Sequence, residues 1–135
     1  MPTLGAMSNY LEHMVLNSAL RGVAFSVPST VYLALYASDP TDADTGTEVS
    51  SGGYARQVVD FSAPAQEGGK GTVENNAEIE FAVATANWGQ ITHMGVRDAA
   101  TGGNLLFHGE LNSPKIIAEG DQFRVLAGHL KIDLD

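Results

Sequence analysis

From Val31 onward the sequence breaks into short apolar or alternating runs, each closed by a turn rich in Gly or Asn, and this pattern constrains the chain more than any other feature. In Val31-Tyr32-Leu33-Ala34-Leu35-Tyr36 the apolar side chains fall on both faces, as in a strand covered on both sides. Further strands are expected at Tyr54 to Phe61, Thr72 to Asn75, Glu78 to Val83, Ile91 to Arg97, Leu105 to Leu111, Lys115 to Ile117, Gln122 to Val125 and Leu130 to Leu134. Turns are supplied by Gly52-Gly53, Gly68-Gly69, Asn75-Asn76, the stretch Asp98 to Asn104, Asn112-Ser113-Pro114 and Glu119-Gly120-Asp121. Parallel crossovers need helices that this region lacks, so the expected fold is mainly β, an antiparallel β-sandwich or barrel.

One helix precedes the strands. Asn9 is the expected N-cap, with Glu12 three residues on, and Leu11, Met14, Val15 and Ala19 recur at helical spacing. Arg21 and Gly22 form a basic last turn and a permissive C′ position, which predicts an amphipathic α-helix over Asn9 to Arg21. A length of 135 residues suits a single domain, residues 1–135, with an N-terminal arm and helix (1–22) and a β domain (23–135). Folding at that size buries roughly two-thirds of the chain's surface, enough for a core without cross-links.

Several function classes are opposed at once. The absence of cysteine excludes a disulfide scaffold, a zinc ribbon, an iron–sulfur site and a thiol nucleophile. A net charge of −9 opposes phosphate neutralisation, so no nucleic acid is expected as partner. The apolar runs fall far short of the ~20 residues that cross a bilayer, so no membrane partner is expected. Met1-Pro2-Thr3-Leu4-Gly5 lacks the basic and apolar regions of a secretory signal, and synthesis without export is expected. Charged residues are 17% of the chain, below the ~25% of an average domain, which suits a surface partly covered by partners.

Chemistry-bearing residues are sparse. The acidic loop Ser38 to Gly53 holds Asp39, Asp42, Asp44 and Glu48, but Gly46 stands where an EF-hand would need its third oxygen ligand, so a solvated, partner-facing loop is expected. Gly68-Gly69-Lys70-Gly71-Thr72 lacks phosphate-loop spacing and reads as a hairpin connection. His13, His93, His108 and His129 are dispersed; His93 and His108 fall on neighbouring strands with no carboxylate or nucleophile expected beside them. Glu78 and Glu80 alternate around Ile79 on the solvent side of a strand. With no Gly-x-Ser-x-Gly elbow, the reading is of a protein that is not an enzyme, with no catalytic residue, cofactor or metal. Trp88 is expected as a core anchor with its indole nitrogen bonded at the rim, or alternatively as an interface residue.

Particular words of the sequence add to this. Val31 to Thr41, Gly52-Gly53-Tyr54-Ala55-Arg56-Gln57, Ala86 to Val96, Asp98 to Leu106, and the closing Pro114-Lys115, Gly120-Asp121 and Ala127-Gly128 resemble a family of small virion proteins of tailed bacteriophages. Members are labelled tail fibre or minor tail proteins, and similar small β-rich proteins serve as capsid decoration (cement) proteins. The resemblance implies a structural virion protein and carries no active residue. The expected role is a decoration protein on the outer surface of the capsid, a homotrimer bound to the major capsid protein; the alternative is a tail fibre, minor tail or glycan-adhesion module using Tyr32, Tyr36 and Asp39. Expected partner contacts are Pro2, Thr3, Leu4, Met7 and Tyr10 in the first ten residues, Asp39, Asp42, Asp44 and Glu48 in the acidic loop, and Trp88.

Overall fold

A computed structural model describes residues 3–135. Its elements are β1 (Thr3–Leu4), β2 (Ala6–Met7), α1 (Asn9–Arg21), β3 (Val31–Tyr36), β4 (Gln57–Val59), β5 (Ala65–Glu67), β6 (Lys70–Glu74), β7 (Ile79–Glu80), β8 (Gly89–Arg97), β9 (Leu105–Ile117), β10 (Arg124–Val125) and β11 (Lys131–Leu134). They form a five-stranded sheet in the order β2-β9-β8-β3-β4, a four-stranded sheet β1-β11-β6-β5 and a small β10-β7 ribbon. One apolar cluster joins all three, with Leu33, Leu35, Met94 and Val96 from the first, Leu4 and Ile132 from the second, and Ile79 and Val125 from the ribbon. The result is the expected mainly β fold with one N-terminal helix, sandwich-like and not closed into a barrel. No helix among the described residues is long and apolar enough to cross a membrane.

Alternation sets the central strands. Leu33 pairs with Val96 and Leu35 with Met94, so their side chains stack on the core face of the five-stranded sheet. Tyr36, Ala34 and Leu105 lie on the opposite face in a separate small cluster. A strand buried on both faces, as the apolar β3 requires, therefore needs a second cover, and the Ser38 to Gly53 loop supplies it.

The structure departs from the expected pattern in five places, each for a physical reason. Ser8, not Asn9, is the N-cap: its backbone is extended (φ −69°, ψ 161°) and its hydroxyl accepts the Leu11 N–H, while Asn9 is the first helical residue. Asn112-Ser113-Pro114 does not separate two strands. β9 runs through it, because the register shift between Ile91 and His93 of β8 leaves a bulge that takes up the extra residues and asks no ladder donor of Pro114. Strand β5 is exposed throughout and holds no large apolar residue, so periodicity cannot reveal it; Gly68 and Gly69, both with positive φ, close it onto β6. Only Gln57–Val59 of the expected Tyr54 to Phe61 strand enters the ladder; Tyr54 turns to the core, Arg56 to Glu48, and Phe61 makes an isolated bridge with Asn75. Finally, β1 pairs with β11 in parallel, a join that needs no crossover helix because the whole domain intervenes between the two strands.

Helix α1 ends as its sequence dictates, with Gly22 in the left-handed conformation (φ 67°) and its N–H on the Asn17 carbonyl. Its packing is thin. Leu11 is its only buried residue, whereas Val15, Leu16 and Leu20 face solvent.

Candidate functional site

The outer face of the five-stranded sheet carries Tyr36 from β3, Arg97 from β8 and His108 from β9, the residues that alternation turns away from the core. The acidic loop folds over this face. Asp44 accepts both terminal nitrogens of Arg97, at 2.7 and 2.8 Å, and the same guanidinium donates to the Tyr36 hydroxyl and the Gly103 carbonyl. Glu48 takes two bonds from Arg56 (both 2.8 Å) and one from the Tyr54 hydroxyl (2.6 Å), while Arg56 Nη1 reaches the carbonyls of Ala99 and Gly102. Asp42 lies 2.7 Å from His108 Nε2, with Asp39 at 3.9 Å from the other ring nitrogen. Two bidentate arginine–carboxylate pairs thus bind the loop to the sheet and to the Asp98 to Asn104 hairpin.

Burial and charge act together on these groups. Burial alone would raise the Glu48 carboxyl, but the hydrogen bonds from Arg56 and Tyr54 and the charges of Arg56 and Arg97 outweigh it and hold the group below its ordinary value. Burial and the neighbouring Glu48 carboxylate drive the Tyr54 hydroxyl well up. Burial raises Tyr36 also, against the opposing pull of Arg97. Arg97, though burial disfavours its charge, is raised by Asp44 and Tyr36.

The expected contact residues are therefore placed as follows. The acidic loop is solvated, with Asp39 and Asp42 exposed, and it is also fastened: Asp42, Asp44 and Glu48 each have a partner within the chain, and Asp39 turns back to accept the Thr41 N–H. His108, expected to lack a carboxylate neighbour, has one because the loop crosses its strand 66 residues earlier in the sequence. Of the two rings expected to face a glycan, Tyr36 is buried and offers no face to a sugar, whereas Tyr32 is half-buried. Trp88 is a core anchor. It packs edge-on to Tyr54 and Phe81, and its indole N–H donates to the Gly52 carbonyl at 2.9 Å. Gly52 has positive φ, and a Cβ there would meet the indole ring at 2.8 Å, which explains a glycine at that position.

In the N-terminal segment, Thr3 and Leu4 belong to β1 and Met7 to β2; Leu4 faces this chain's own core, and Met7 and Tyr10 pack against it. Pro2 lies outside the described residues. Asn9 N–H donates to the Asp42 carbonyl at 2.8 Å, so the loop also fastens the start of the helix. Sequence reasoning missed Arg56 and Arg97, the two cations that organise the face. Their only signal is that they are two of the seven cations of a chain poor in charge; Arg56 stands just before β4, and Arg97, far from the loop in sequence, at the end of β8.

Among the described residues, no three His, Asp or Glu side chains converge to hold a metal. What the arrangement does is fix shape: paired charges lock one face, while apolar side chains of α1 stand free on another. The molecule is a small β-sandwich with one clamped polar face and one apolar helix. The chain belongs to the family described as podophage GP4 fiber I protein gp80, whose model matches residues 6–133, and it is thus a phage structural protein of a fibre-related family. No curated protein matches it.

Proposed function

We propose that the chain is a fibre component of a podophage particle, acting by burial of surface against other particle proteins rather than by turnover. The observation that carries this reading is the match to a fibre protein family over residues 6–133, which takes in the helix, the clamped loop, the five-stranded sheet and all of the four-stranded sheet except β1 and the last residue of β11. The clamped face suits a load-bearing part, since paired and buried polar groups fix one geometry. The exposed helix supplies apolar area for a neighbour.

A second reading is a decoration protein on the capsid exterior, bound as a trimer to the major capsid protein. It is favoured by the compact sandwich that the described residues form and by the −9 charge, which suits a place away from packaged DNA.

Counting copies in purified particles, after heads and tails are separated, decides between the two. A fibre component is expected in a small number of copies that leave with the tail apparatus. A ratio near one per major capsid subunit on tailless heads would overturn the fibre reading in favour of decoration.

A further inference from the structure

Helix α1 and the strap behind it, residues 9–29, form an excursion from the body of the sandwich that leaves beside the edge strand β2 and rejoins the five-stranded sheet at Val31. Little apolar burial holds it. Leu11 is the one buried residue of the helix, and of the rest of the excursion only Tyr10 and Phe25, both half-buried, pack against the core. Among the described residues, Ala24 to Ser29 give and take no hydrogen bond. A segment with so few buried contacts opens at a free energy below that of global unfolding.

Its fastening is concentrated at one end. The Ser8 N–H and hydroxyl bond the Leu106 and Leu105 carbonyls of β9, and the Asn9 N–H donates to the Asp42 carbonyl at 2.8 Å. Asp42 is itself tied down through its side chain, whose carboxylate lies 2.7 Å from His108 Nε2. His108 stands on β9 directly opposite Ala6, on the strand that leads into the helix. One aspartate thus holds the sheet by its carboxylate and the first residue of the helix by its carbonyl.

This tie is the one most open to water. The Asp42 side chain is 50% exposed, against 10% for His108, so the bond between them breaks at little cost. The rest of the loop stays fastened meanwhile, through Asp44 on Arg97 and Glu48 on Arg56.

We propose that Asp42 is a clasp: when it leaves His108, α1 opens from the sandwich as a unit while both sheets stay folded. Coupling of this kind is reciprocal. What draws Asp42 off His108 loosens the helix, and what loosens the helix loosens the tip of the loop. A contact made at the acidic loop is therefore felt at Arg21, about 18 Å along the helix.

Hydrogen exchange of the full chain, followed by NMR at one fixed pH, tests the clasp. The amides of Val15 to Arg21 are expected to exchange through one shared opening, well ahead of those of β8. Asp42→Ala is expected to speed all of them by a common factor on the order of threefold to tenfold and to leave β8 unchanged. Asp42→Asn, which can bond either tautomer of the imidazole, is expected to restore most of the protection. By reciprocity, Leu11→Ala is expected to speed exchange of the Asp44 and Thr45 N–H groups, which bond the Thr41 and Pro40 carbonyls at the tip of the loop. Acceleration confined to residues 9–12 overturns the proposal in favour of simple fraying. No change in α1 on Asp42→Ala overturns it too, as does a helix that exchanges only with β8. If β8 accelerates by the same factor as α1, the aspartate supports the whole fold and is not a clasp.

Discussion

Asp44 and Arg97 meet through two parallel hydrogen bonds, 2.7 and 2.8 Å, across 53 residues of sequence, with the Asp44 backbone in the left-handed region (φ 59°). A non-glycine residue in that conformation is held there by its surroundings, and here the guanidinium is what it is held for. Arg97→Lys keeps the charge but cannot serve Asp44, Tyr36 and the hairpin carbonyls together. The expected loss is about 1–3 kcal/mol in chemical denaturation, with faster amide exchange across residues 38–53.

Glu48 gives an acid-side prediction. Its carboxyl is held below the ordinary 4.5 by Arg56, Tyr54 and Arg97, which outweigh burial. The folded protein therefore binds this proton less readily than the unfolded chain does. The associated stability is fully present above pH 4.5 and is lost as pH falls below it. Glu48→Gln is expected to be less stable at neutral pH and to show a flatter decline below 4.5 in thermal unfolding.

On the alkaline side the sign reverses. Tyr36 and Tyr54 are raised above 10, so the unfolded chain gives up these protons first, and their contribution is present below pH 10 and falls as pH rises beyond it. Tyr54→Phe is expected to soften the loss of stability above pH 10, measured by urea unfolding across that range. A profile identical to that of the parent would mean that the hydroxyl is solvated.

Asn75 is a buried amide that serves a turn. Its Nδ2 donates to the carbonyls of Ala77 and Leu126, and its Oδ1 accepts the Leu130 N–H. Asn75→Ala strands three backbone groups, and a loss of about 2–4 kcal/mol is expected. Asn75→Asp is expected to be worse than Asn75→Ala, because it turns an acceptor toward two carbonyls.

Ser8→Ala is the corresponding test at the helix. The hydroxyl accepts from Leu11 and donates to the Leu105 carbonyl, so its removal undoes a cap and a link to β9 together. A loss of about 1–2 kcal/mol is expected. It should be accompanied by fraying of α1 in amide exchange.

Much of the sandwich is legible residue by residue. The alternation of Val31 to Tyr36, the glycine turns and the Arg21-Gly22 helix end all arise from local physics, and they appear where that physics puts them. What stays hidden is non-local. Nothing near Ser8 announces that a carbonyl 97 residues away fixes the N-cap one position earlier than Asn9. Nothing near Asp44 names Arg97, and the outer face of the sheet was legible only as apolar residues in need of a cover. Strand β5 escapes for a different reason: Ala65-Gln66-Glu67 is an exposed edge, and burial writes no pattern there.

The parallel pairing of Thr3 and Leu4 with Lys131 and Ile132 has a kinetic consequence. The partners stand 128 positions apart, so no short loop closure can nucleate the pair, and it belongs to the slow, non-local part of folding. A domain in which β1 has not docked keeps Leu4 wet and leaves β11 as a bare sheet edge. The contact that completes the sheet is thus also the one that withdraws its stickiest edge from other chains.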